Sequence, residues 1–163
     1  LNNPEYHLKL NKRRVPVMEI AKVLGFNIYT TKFNDYNIKA TIGISNQLID
    51  KYKSNKVIIL SNEYTDEEIL FSLCHELAHY IYDSNPSNEY SHTYRINDIE
   101  LGAIRFADAL LMPLTSFKEA YTELSHNINN PELLIRALSD TFNAPLDAVQ
   151  RRLKQVINTY KNH

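Results

Sequence analysis

The segment from Thr65 to Ile81 constrains the fold most, because its residues meet two demands at once. Thr65 with Glu68 three positions later has the pattern of a capping box, and Ile69, Leu70, Leu73, Leu77 and Ile81 recur at the spacing of one helix face. Inside that helix the sequence reads His75-Glu76-Leu77-Ala78-His79. Residues four apart stand one above the other on a helix, so both imidazoles project from one side and Glu76 lies one step round. The fold must bury one face of this helix while keeping two titratable rings together. With the His and Glu content of this chain, such a spacing arises by chance in roughly one to two of every hundred sequences, so accident is a weak explanation.

Two imidazoles on one face suit a single Zn²⁺, with Glu76 as general base toward the water that such an ion activates. The plainer reading is a surface helix with two ordinary histidines. It conflicts with Leu73, Leu77 and Ile81, which mark a buried face beside which an unpartnered polar cluster is costly. A catalytic zinc takes three protein donors and leaves a fourth position open. A second helical run extends from Ile99 to Met112, and Pro113 stops it. Ala107 centres its apolar stripe, flanked by Ala103, Leu110 and Leu111, and Glu100 lies two turns earlier on that face as the candidate third donor. Against this, Glu100 is also an acid in a first helical turn, and Arg95 and Arg105 are close enough in sequence to pair with it.

Cys74 points about 100° away from its neighbour His75 and reads as a small packed residue. Between the two helices, the polar stretch from Asp83 to Asn97 reads as a long surface loop. Its Tyr90, His92 and Tyr94 are candidate oxyanion donors or substrate contacts, set against the plainer reading of ordinary loop residues. His7, His126 and His163 belong to no motif.

The remaining segments supply a fold around these helices. A first helix is expected near residues 16–24, with Pro16 in its first turn and Gly25 past its end. Strand content follows in Phe26, Ile28 and Tyr29, in the alternating Ala40, Ile42 and Ile44, and in the run Lys56–Leu60. Ser116 with Glu119 is a candidate cap for a short helix, Asn130 and Pro131 open another, and Leu146, Val149, Leu153, Val156 and Tyr160 stripe a last one. The fold class read from this order is α+β: a small, mostly antiparallel three-stranded sheet packed on the His75–His79 helix, with a helical tail. Its expected division is a domain over residues 1–125 and a C-terminal segment over 126–163 packed on it.

A length of 163 residues suits one core, and a net charge of -1 excludes a strongly nucleic-acid-seeking chain. One cysteine permits no internal disulfide and no thiolate-rich zinc site. The polar opening, Leu1 to Arg14, lacks the apolar stretch of a signal peptide, and no later run approaches the ~20 apolar residues of a membrane helix. A soluble, cytoplasmic protein with no membrane partner is expected. The opening leucine leads us to expect further residues before it.

The residues from Phe71 to Tyr80 resemble the motif helix of the ImmA/IrrE metallopeptidases, with Cys74 where alanine is common and Ala78 where glycine is common. Glu100 to Pro113 is similar to the family pattern E-x-E-A-N-x-F-A-x-x-L-L-M-P. Here Gly102 replaces the second glutamate and Ile104 the asparagine, which leaves Glu100 as the acidic ligand candidate in that helix. The resemblance spans most of the chain. It implies a zincin-like fold with an N-terminal helix, a small sheet and a helical tail, in which Leu133 to Leu153 is similar to the helix-turn-helix-like segment of some members. It also implies a zinc-dependent endopeptidase, of the anti-repressor type found with mobile elements and stress regulators, whose substrate is a helix-turn-helix transcriptional repressor.

Arg151, Arg152 and Lys154 are too few for a DNA surface, so core packing or protein contact is expected of the tail. A substrate peptide is expected to lie along a sheet edge at Thr41, Ile42, Gly43 and Ile44. The competing hypothesis is a non-catalytic regulatory protein that uses the same fold to bind a repressor or other protein partner.

Overall fold

A computed structural model describes residues 12–83 and 96–161. The chain divides into two compact units, one of residues 16–107 and one of residues 1–15 with 108–163. Each is described by itself.

The first unit opens with α1, Val17–Val23. Its end is set by Gly25 at φ 90°, where the Gly25 N–H donates to Lys22 O at 2.9 Å and the Phe26 N–H to Ala21 O at 3.1 Å. Glycine reaches this left-handed conformation at little cost, and the paired bonds satisfy carbonyls that the helix end leaves open. The chain then enters β1, Asn27–Thr31, followed by β2, Ala40–Ile44. A 3₁₀ turn, Asn46–Leu48, and a one-turn helix α2, Ile49–Tyr52, lead to β3, Lys56–Ser61. These two short helices have no period long enough to read in sequence. Their local signal is Ser45, whose hydroxyl accepts from the Gln47 N–H at 3.2 Å.

β3 lies in the middle of the sheet, paired parallel to β1 and antiparallel to β2. The α+β architecture expected from sequence is present, but its sheet is mixed instead of mostly antiparallel. The physical reason is burial: Val57, Ile58 and Leu60 are the most apolar strand residues, so β3 takes the position flanked on both sides. β1 then meets it in parallel, with β2 and the short helices serving as the crossover that parallel pairing requires.

Among the described residues β2 keeps one free edge. Lys39 O accepts from the Ser61 N–H at 2.8 Å and the Ser45 N–H donates to Asn55 O at 2.9 Å, so odd-numbered residues turn their backbone toward β3. By alternation, Ala40, Ile42 and Ile44 present theirs outward. The register places the side chains of these three on the same face as Leu60, Ile58 and Lys56. From that face the Lys56 ammonium reaches the Tyr80 hydroxyl at 2.9 Å, which puts the motif helix against it.

That helix is α3, Asp66–Asp83. Glu68 accepts from the Thr65 N–H and hydroxyl, both at 3.3 Å, and pairs with Lys39 at 2.8 Å, which ties the start of α3 to the start of β2. Ile69, Leu73, Cys74, Leu77 and Ala78 are buried. Ile81, expected on the same buried stripe, is 42% exposed, since it stands in the last turn of the helix. α4, Ile96–Leu111, buries Ala103, Ala107, Asp108 and Leu111 while leaving residues 98–101 exposed.

In the second unit α5, Leu114–Ser125, starts directly after Pro113 and not at the expected Ser116 cap. A proline fixes φ near its helical value and loses nothing by lacking an N–H there. α6, Pro131–Phe142, is capped by the Asn130 side chain, which accepts from the N–H groups of Glu132 and Leu133 at 2.9 and 3.1 Å. Asn143, in the left-handed region at φ 53°, turns the chain toward α7, Leu146–Lys161. Phe117, Leu138, Phe142, Val149 and Val156 form the apolar core of this unit.

Its polar centre is Asp108, 1% exposed, which accepts two hydrogen bonds from Arg151, each 3.0 Å. Arg152 is buried too and donates to Met112 O at 2.9 Å. Two of the three tail cations considered for DNA contact are thus committed to internal partners. Among the described residues no helix is long and apolar enough to cross a membrane.

Candidate metal centre

His75 and His79 stand one turn apart on α3, and their Nε2 atoms lie 3.0 Å from each other. Glu100 comes from the exposed stretch 98–101 near the start of α4. Its Oε2 is 3.1 Å from His75 Nε2 and its Oε1 is 3.3 Å from His79 Nε2. Among the described residues this is the one group of three or more His, Cys, Asp or Glu side chains whose donor atoms gather so closely.

The spacing tests whether a metal ion fits. Donors about 2.0–2.2 Å from a tetrahedral ion are separated from one another by about 3.3–3.6 Å, close to what the three side chains already adopt. Two neutral imidazoles and a carboxylate are also the donor chemistry of a divalent site. A plain His–Glu ion pair accounts for the geometry less well. Burial, joined by the nearby His79, lowers the His75 pKa against the opposing pull of Glu100, which favours the neutral, ligating imidazole over a charged partner.

Glu76 sits beside this group. Burial, the largest influence, raises its pKa, with Glu100 adding to the rise while His79 and a hydrogen bond from the Ile42 N–H oppose it. A carboxylate moved toward neutrality is better matched to taking and returning protons than an ordinary surface acid. The Ile42 contact joins Glu76 to the free edge of β2. Sequence reasoning did not foresee that link, although the alternation of Ala40, Ile42 and Ile44 carried the signal that they share one orientation.

Of the four expected edge residues, Ile42 and Ile44 present their backbone outward, whereas Thr41 and Gly43 turn theirs to β3. Gly43 lets Leu48 press close, since a Cβ there would meet Leu48 Cδ1 at 3.0 Å. Cys74 is fully buried, burial pushes its thiol pKa up, and it is no part of the donor group. Tyr90, His92 and Tyr94 lie outside the described residues.

A comparison with curated proteins gives no match. Residues 21–154, most of the chain and all of the donor group, match the family described as the IrrE N-terminal-like domain. The chain belongs to this family of metal-dependent peptidases.

Proposed function

We propose that the protein is a zinc-dependent endopeptidase that cuts one specific protein, a helix-turn-helix transcriptional repressor of a mobile element or stress response. The observation that carries the reading is the convergence of His75, His79 and Glu100 within 3.0–3.3 Å, with Glu76 linked to an open strand edge alongside. A Zn²⁺ held by the three donors supplies Lewis acidity at a carbonyl and makes water nucleophilic near neutral pH.

The chain's own groups account for the rest of the chemistry. Glu76 takes the proton from the attacking water and delivers it to the departing amine, so hydrolysis proceeds without a covalent enzyme intermediate. The outward C=O of Ile42 and the outward N–H and C=O of Ile44 pair with an extended substrate as an added strand, which brings a backbone carbonyl to the donor group. Selectivity for one folded partner fits a short edge strand, which offers few pairing groups and depends on further contacts for affinity.

The test is incubation with the repressor encoded beside the gene, followed by intact-mass analysis. Cleavage by the wild type, lost in Glu76→Gln with metal content unchanged, is the expected result. Equal function in Glu76→Gln would overturn the enzymatic reading and favour a binding module. Ile44→Pro removes an outward N–H without touching a bond to β3, and should weaken cleavage while sparing metal.

A further inference from the structure

The donors on α3 and α4 meet only if the two helices hold a fixed spacing and rotation, and residues 98–101 of α4 have little packing of their own to enforce either. Asp98, Ile99, Glu100 and Leu101 are exposed, and the Glu100 side chain itself is 49% exposed. Gly102 follows, with nothing within 4 Å of where a Cβ would stand. A glycine in a helix interior also weakens that turn. The third donor therefore sits on a lightly packed stretch, yet its oxygens lie within 3.3 Å of both imidazoles.

A second contact between the same two helices stands one step further along. The Tyr82 and Phe106 rings meet edge to face, with centroids 6.1 Å apart and planes at 75°. Tyr82 follows His75 at i+7 and His79 at i+3, so all three share one face of α3. From His75 to Tyr82 α3 advances about 10.5 Å, and from Glu100 to Phe106 α4 advances about 9 Å. The advances match and run in the same chain direction, so the donor contact and the ring contact fit one placement of α4 on α3. One point alone would leave α4 free to pivot. Two points limit both its slide and its pivot, and a ligating group must hold its place to about 0.5 Å to serve.

We propose that Tyr82 and Phe106 are positioning residues for the metal centre: their ring contact sets α4 on α3 so that Glu100 reaches the ion held by His75 and His79. This rests on the metal reading above. The ring contact acts through Glu100, not on the ion, so its effect should vanish when Glu100 is absent.

The experiment is titration of the metal-free protein with Co²⁺ alone, read by its visible absorption. Tyr82→Ala and Phe106→Ala are expected to lower affinity at least about tenfold, the scale on which outer partners of metal ligands act, and to shift the spectrum toward that of Glu100→Ala. Tyr82→Phe, which keeps the ring, should restore wild-type affinity. In a Glu100→Ala background, Tyr82→Ala should add no further loss. Unchanged affinity in Tyr82→Ala, or an equal loss with and without Glu100, would overturn the proposal. Ellipticity and thermal melting of each variant separate lost positioning from lost fold. Failure of the wild type to bind Co²⁺, or binding indifferent to His75→Ala, would sink the metal reading itself and so is distinguishable.

Discussion

One helix, α4, carries two acids eight residues apart, Glu100 and Asp108, whose surroundings have opposite characters. Asp108 is 1% exposed and clasped by a guanidinium that stays charged at any physiological pH, with Asp147 steadying the same arginine at 2.7 Å. Glu100 is half exposed and faces two imidazoles, one of them biased by burial toward its neutral form. The first cluster holds its buried carboxylate against a permanent cation. The second has three donors turned toward one another and no permanent cation among them, which is the condition for taking up a metal. The identity of the partner, more than the acid, separates a structural carboxylate from a ligating one.

The largest expected effect breaks the closed cluster. Arg151→Met leaves Asp108 buried without its fork, and should cost about 3–5 kcal/mol in urea denaturation. An exchange within about 1 kcal/mol would mean that Asp108 needs no permanent partner, and the contrast would fail. Next comes the open cluster: Glu100→Ala should leave folding almost untouched while lowering Co²⁺ affinity about 100-fold or more, beyond the loss of an outer partner.

Acidity sharpens the same contrast. Because its folded-state pKa is depressed, His75 sheds its proton early, so protons compete with metal only below the ordinary value of 6.5. Metal affinity should hold down to that range and then fall by about tenfold or more per pH unit, as seen in pH-dependent Co²⁺ titrations. The smallest effect concerns the glycine between the two acids. Gly102→Ala should stabilise the protein by about 0.5–1 kcal/mol in thermal melting, since the position is helical and open.

The open cluster was legible in sequence because its rule is local: the i, i+4 spacing of His75 and His79 and the helical phase of Glu100 survive without knowledge of the fold. The closed cluster was not. Asp108 and Arg151 lie 43 residues apart, and Arg151 read as one of three tail cations until packing supplied its partner. The sheet divides the same way. Three strands were visible from their apolar residues, but which strand lies in the middle is decided by competition for burial across the chain. The Asn130 cap is readable from two residues, whereas the start of α5 is not, because Ser116 with Glu119 mimics a cap and a proline can both stop one helix and open the next.

The burial of Cys74 behind His75 has a bearing on how such a centre survives stress. A site built from nitrogen and oxygen donors contains no thiolate for peroxide to attack, and the neighbouring sulfur is both shielded and held in its unreactive protonated form. Oxidants that strip zinc from cysteine-rich domains would therefore leave this donor group intact.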